Sequence, residues 1–205
     1  QNQSLRMAFI DAKPTGAANG KTVVLLHGKN FAANYWERTI KDLNAQGFRV
    51  IAPDQIGFGK STKPEYLQYS FLALAQWTHN LLKENGVDKF YVVGHSMGGM
   101  LAVRMTLLYP HDVEKLALVN PIGLEDYKVL SPYTSIDEWY ARELKATPES
   151  LKQYQQKVYF DGQWKPEYDR LVEIPSGWVT GPDWPLIAYN SALQYDMIYT
   201  QPVVY

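Results

Sequence analysis

Five residues, Gly94-His95-Ser96-Met97-Gly98, stand between an apolar run, Phe90 to Val93, and a stretch of helical period, Met97 to Tyr109. A G-x-S-x-G segment at a strand-to-helix junction is a nucleophile elbow: the sharp turn strains the serine backbone and lifts its hydroxyl out of the sheet. Gly94 and Gly98 fit this turn because a Cβ at either position would clash. The start of the following helix adds unpaired N–H groups and partial positive charge beside Ser96, where a negative oxygen would form. Taken alone, the same five residues also describe a serine that merely caps a helix. The neighbouring segments separate the two readings.

Upstream, short β-rich runs alternate with helical stretches, the rhythm of a parallel sheet wrapped by crossover helices. The strands expected are Leu5 to Ile10, Thr22 to Leu26, Arg49 to Ala52, Phe90 to Val93 and Lys115 to Val119. Helices are expected at Tyr35 to Ala45, Phe71 to Glu84 and Met97 to Tyr109, the last closed by Pro110. In the second helix, Leu72, Ala75 and Leu82 form the apolar face expected to cover the sheet.

From Glu125 to Tyr205 that alternation is lost, and four of the six Trp and ten of the fifteen Tyr appear. This change divides the chain into two expected units, residues 1–124 and 125–205. The second is expected to hold short helices at Ser135 to Lys145 and Pro148 to Lys157, followed by a loop from Ile174 to Pro185 that is rich in Gly and Pro.

The strand Thr22 to Leu26 runs into His27-Gly28-Lys29-Asn30. An elbow of this kind draws one oxyanion donor from the N–H after the nucleophile, here Met97, and another from the loop after an earlier strand. Lys29 is the candidate for the second. His27 precedes the nucleophile and reads as a structural histidine.

A third segment, Asp54-Gln55-Ile56-Gly57-Phe58-Gly59-Lys60-Ser61, follows the next strand. His-Gly after one strand, D-x-x-G-x-G-x-S after the next, then G-H-S-M-G-G before a helix and an L-x-L-V-x-P strand together resemble the α/β-hydrolase superfamily over about residues 5–124. The resemblance implies an α/β fold with a mostly parallel sheet, incomplete here, and a mainly helical lid inserted after the sixth strand, formed by residues 125–205. It gives Asp54 and Gly57 to Ser61 a structural role. The aromatic residues of the lid suit an apolar pocket, while single ones such as Trp139 and Trp178 are expected to serve mainly in packing.

The family order is serine, then acid, then histidine. After Ser96 the only histidine is His111, at the far end of a helix that carries the chain roughly 18 Å away. His79 lies on an earlier helix, and His95 is expected to point away from the serine. The general base is therefore expected from outside these 205 residues, in a missing C-terminal segment or a second chain, and the chain alone is expected to be inactive. Asn120, Glu125 and Asp126 lie where some members carry the acid, without favouring that choice.

The chemistry implied is hydrolysis of an ester or related acyl bond of a small, largely apolar substrate through an acyl-enzyme on Ser96. Members that act on haloalkanes or epoxides carry Asp at the elbow, so serine argues against both. Proline iminopeptidase-like enzymes stay open through the acidic Glu125, Asp126, Asp137 and Glu138. Carbon–carbon bond hydrolases fit less well, because their glycine-rich oxyanion loop is not matched by His27 to Asn30. A ligand-binding or signalling protein on the same scaffold is the alternative of a different class. Lys29 is read either as attracting a substrate carboxylate or as pointing to solvent, with solvent favoured.

The formal net charge of −1, with both signs interspersed, gives no footprint for nucleic acid or an anionic membrane. No apolar run is long enough to cross a bilayer. No metal or organic cofactor is implied, and the absence of cysteine is silent on compartment. A chain opening on Gln1 is expected to have lost residues upstream, a cleaved signal peptide being one route. Cytoplasm, periplasm and secretion all stay open.

Overall fold

The computed structural model describes residues 4–124 and 126–202. Glu125, one of the acids named above, and the chain ends at residues 1–3 and 203–205 lie outside the described residues. Five strands form one sheet in the order β1-β3-β2-β4-β5. They are β1 (Phe9–Ala12), β2 (Thr22–Leu26), β3 (Arg49–Pro53), β4 (Phe90–His95) and β5 (Val113–Val119). Strands β2 to β5 run parallel and β1 pairs antiparallel with β3, so the sheet is mostly parallel, as expected.

Because successive side chains on a strand point to opposite faces, β2 and β3 feed two cores. Val24, Leu26 and Ile51 join the face covered by α2 (Phe71–Glu84) and α3 (Met97–Leu108). Val23, Leu25, Val50 and Ala52 join the other face, covered by the short turn Ala33–Trp36 and α1 (Glu37–Ala45). Burial on both faces is why these strands read as unbroken apolar runs. Strand β5 differs: it lies at the edge of the described sheet opposite β1, and Leu116 and Val119 are each 38% exposed.

Three expectations are corrected. The first strand begins at Phe9, not Leu5, because the preceding residues bond elsewhere: Arg6 N–H donates to Thr62 Oγ1 at 2.9 Å and Ala8 N–H to Ser61 Oγ at 2.8 Å. Leu72 is exposed, and α2 instead buries Phe71, Leu74, Ala75, Thr78 and Leu82, the set in register with the sheet. Ser70 fixes that register by capping α2, accepting from Ala73 N–H at 3.0 Å.

The third correction concerns Ile174 to Pro185, which is mostly helix. Helix α7 (Asp169–Val179) carries Pro175 in its interior, and α8 (Trp184–Thr200) has Pro185 in its first turn. Pro185 costs nothing there, since a first-turn N–H has no partner within the helix. Pro182 falls in the turn between the two helices. Residues 126–202 also contain α4 (Tyr127–Leu130), α5 (Ile136–Glu143) and α6 (Pro148–Tyr159), the latter two opened by capping boxes at Ser135 and Thr147. Helix α8 enters the main core: Met197 and Ile198 belong to the same apolar cluster as Val24 and Leu26.

Candidate active site

Ser96 links β4 to α3 with φ 55° and ψ −121°, a backbone region that residues with a Cβ rarely adopt. Close packing holds it there. A Cβ on Gly94 would run into the Gly98 carbonyl, and one on Gly98 would run into the carbonyls of Leu26 and His27. Ser96 N–H donates to Val119 O at 3.2 Å, while Ser96 O accepts from Gly99 N–H at 2.9 Å and Ile122 N–H at 3.2 Å. These bonds clamp the turn to the C-terminal ends of the parallel strands, where open α/β sheets present their ligands. Met97 is the first residue of α3, so its N–H is one that the helix leaves unpaired.

A cavity of about 120 Å³ lies over the turn, lined by Ser96, Lys29, Asn30, Phe31, Ile122, Leu151, Tyr154, Gln155, Tyr159, Pro175, Tyr195 and Ile198. The elbow, the loop after β2 and the helical segment thus meet around one space. Its walls are mainly apolar and aromatic, with Lys29, Asn30 and Gln155 as polar groups. Burial raises the Tyr159 phenol above its ordinary value, which keeps it neutral. Trp139 stacks on Tyr195 at 3.8 Å, and Trp178 packs beside Phe58, Trp184 and Ile187.

Lys29 does not point to solvent, contrary to the option favoured from sequence. Its side chain is 6% exposed, with Nζ 3.1 Å from Glu143 Oε1, 3.2 Å from Asn30 Oδ1 and 3.5 Å from the centre of the Tyr195 ring. Glu143 and Tyr195 were not legible as site residues. They lie far along the chain from Lys29, and no local pattern ties a charged residue at the end of one helix to a loop after an early strand.

His27 is fully buried with both ring nitrogens engaged. Gln55 N–H donates to Nε2 at 2.9 Å, so the proton sits on Nδ1, which donates to Gly28 O at 2.8 Å. Burial lowers its pKa, keeping it neutral. His95 stacks on Tyr35 at 5.0 Å with Phe31 and Trp36 edge-on, and its Nδ1 is buried without a hydrogen-bond partner among the described residues. Burial, with a smaller push from His27, holds it down to about 4.

His79 pairs with Asp112 at 2.8 Å beyond the far end of α3, and the neighbouring His111 carbonyl accepts from Lys89. None of the four histidine side chains is hydrogen-bonded to Ser96 among the described residues. Of the acids considered, Asp126 is exposed and accepts from Lys128 N–H at 3.0 Å, and Glu138 serves the α5 capping box.

Asp54 closes its own loop. One carboxylate oxygen accepts from Ala33 N–H at 2.7 Å, the other from Lys60 N–H at 2.8 Å, and Ser61 Oγ donates to its carbonyl at 2.6 Å. The loop turns back through Gly57 and Gly59, both at positive φ. Among the described residues no three His, Asp or Glu side chains gather in an arrangement that would hold a metal ion. No helix among them is long and apolar enough to cross a membrane.

The family model described as the alpha/beta hydrolase fold matches residues 21–163. Among curated proteins, a 2-hydroxy-6-oxo-6-phenylhexa-2,4-dienoate hydrolase of Burkholderia cepacia is 37% identical over 111 residues, 53% of this chain and 39% of that protein. Lipase 1 of Psychrobacter immobilis is 35% identical over 109 residues, 53% of this chain and 34% of that one. Among solved structures, a probable hydrolytic enzyme from Pseudomonas aeruginosa PAO1 has a TM-score of 0.96 at 56% identity, covering 100% of this chain and 66% of that chain. An esterase of Exiguobacterium antarcticum shares the fold, with a TM-score of 0.71 at 23% identity over 93% of this chain and 70% of its own. The matched stretches cover less than half the length of these curated relatives.

Proposed function

The chain belongs to the α/β-hydrolase fold family, and on that premise we propose that the protein is a serine hydrolase with Ser96 as nucleophile. The observation that carries the proposal is the strained Ser96 backbone, held at a strand-to-helix turn on the wall of the cavity. Strain of this kind persists only where the surroundings impose it, and it concentrates at functional turns.

In this reading Ser96 Oγ attacks the carbonyl carbon of an ester, and the carbonyl oxygen takes the charge. The backbone N–H groups of Met97 and Lys29 receive that oxyanion. Gly28 supports the arrangement by letting the Lys29 loop lie flush against the elbow: a Cβ there would stand 3.0 Å from Ser96 Cβ. The alcohol leaves with a proton, and water then releases the acid from the acyl-enzyme. The base that takes the serine proton, and the acid that orients it, are assigned to residues outside this chain, in a further segment or a second chain. His27 is unsuited to that role because both its nitrogens are committed to the fold.

Residues 126–202 act as a lid in this reading, roofing the cavity with Leu151, Tyr154, Tyr159 and Tyr195. A cavity of about 120 Å³ between such walls suits a short, neutral, largely apolar acyl group. The second reading, hydrolysis of a carbon–carbon bond, is favoured by the relative from Burkholderia cepacia, whose name specifies a dienoate substrate.

The test is labelling of the full-length protein with a fluorophosphonate, together with turnover of short-chain and dienoate substrates. Label on Ser96 with ester turnover is the expected result. Turnover of the dienoate alone would move the second reading ahead. A folded full-length protein that neither labels nor turns over would leave a ligand-binding protein on the hydrolase scaffold.

A further inference from the structure

Lysine has a long, flexible side chain with a strongly hydrated charge, and it rarely lies buried without a partner. Lys29 is buried and directed into the helical segment. Its ammonium meets Glu143 at the end of α5, 114 residues away in sequence, and the Tyr195 ring on α8. The next residue, Asn30, has φ 66°, and its Oδ1 accepts from Ser191 Oγ of α8 at 3.2 Å. Phe31 meets the Tyr159 ring of α6 edge-on at 6.0 Å. On its other side the loop is pressed against the elbow, with Gly28 in close contact with Ser96 and His95. The loop is thus held between the serine and three helices, and its own backbone bond, Phe31 N–H to Gly28 O at 3.2 Å, only closes it on itself.

Resting on the proposal that the Lys29 N–H stabilises the oxyanion, we infer that Glu143 is a positioning residue. Its ion pair with Lys29 couples the docking of α5 and α8 to the geometry of the oxyanion loop. The backbone donor and the ion-pairing side chain belong to one residue, so a shift of α5 moves the donor relative to Ser96. Undocking the helices opens the cavity and dismantles the oxyanion site in one event, and docking rebuilds both. Removing the Glu143 carboxylate withdraws the negative charge opposite a buried ammonium, and that ammonium is expected to shift toward water and take the loop with it.

The test compares Glu143→Gln and Glu143→Asp with the unsubstituted full-length protein. Three quantities are read: melting temperature, amide hydrogen exchange of residues 28–31, and steady-state kinetics on a short neutral ester. Glu143→Gln is expected to speed exchange in the loop and to lower kcat about 10- to 100-fold, the range for a displaced donor, with KM little changed. Glu143→Asp keeps the charge and is expected to recover part of the rate. Unchanged loop exchange in a folded Glu143→Gln protein would overturn the coupling. So would a raised KM at constant kcat, which would place the pair in substrate binding. Should the unsubstituted protein neither take the fluorophosphonate label nor turn over ester or dienoate, the serine-hydrolase reading fails by itself, and loop exchange still decides whether Glu143 orders the loop.

Discussion

Gly28 is so close to the elbow that a Cβ on it would stand 3.0 Å from Ser96 Cβ and 3.1 Å from His95 Nδ1. Neither neighbour has room to retreat, since Ser96 is clamped by three backbone bonds and His95 is enclosed by aromatic rings. Gly28→Ala is therefore expected to leave the protein folded while pushing the loop and the serine apart by a few tenths of an ångström or more. Turnover should fall on the order of 100-fold, the cost of slight misplacement at a reacting centre. Ester kinetics beside a melting curve check this.

Ser96 holds its φ of 55° at a cost that glycine would not bear. Ser96→Gly is expected to abolish fluorophosphonate labelling and to raise stability by about 1 kcal/mol, the lower end of the strain assigned to such conformations. Urea denaturation of both proteins tests it. A Ser96→Gly protein less stable than the original would mean that the turn carries no strain.

Asp54 answers two backbone N–H groups with two oxygens. In Asp54→Asn one of them would face an amide NH₂ instead of an acceptor. The expected loss is about 1.5–3 kcal/mol, the range for hydrogen bonds to a charged group, read as a lower denaturation midpoint. Cleavage by a protease should rise within residues 55–63, the loop those bonds close.

Burial holds His95 at about 4 against an ordinary 6.5, and lowers His27 as well. The unfolded chain then binds protons that the folded chain refuses, so stability is full above pH 6.5 and falls as pH drops from 6.5 toward 4. The slope is at most about 1.4 kcal/mol per pH unit for each histidine. Melting temperatures across that window should show the decline, and His95→Gln should flatten it.

The elbow and the sheet were legible because their signals are local. A buried parallel strand writes itself as an apolar run, and the Gly94-to-Gly98 spacing reports a clash that only glycines avoid. Helices α5 and α6 lie close to the bounds read for them, and the structure supplies the physical reason in the capping boxes at Ser135 and Thr147. Proline misled at Ile174 to Pro185, since its density suggests a loop while Pro185 costs nothing in a first turn. Leu72 misled because helical period marks an apolar face without saying which edge of it meets the sheet. The Lys29–Glu143 pair could not be read at all, because nothing near either residue in sequence depends on the other.

Strand β5 carries one further consequence. Its outer edge bears backbone groups that no described strand pairs, and its Leu116 and Val119 side chains are more than a third exposed. An edge of that kind is a template for any extended segment that meets it. These 205 residues produced alone should therefore self-associate as concentration rises, and light scattering should show the effect weakening when Leu116 is replaced by lysine. Handling of the isolated chain would then depend on how far the β5 edge is kept from meeting another copy of itself.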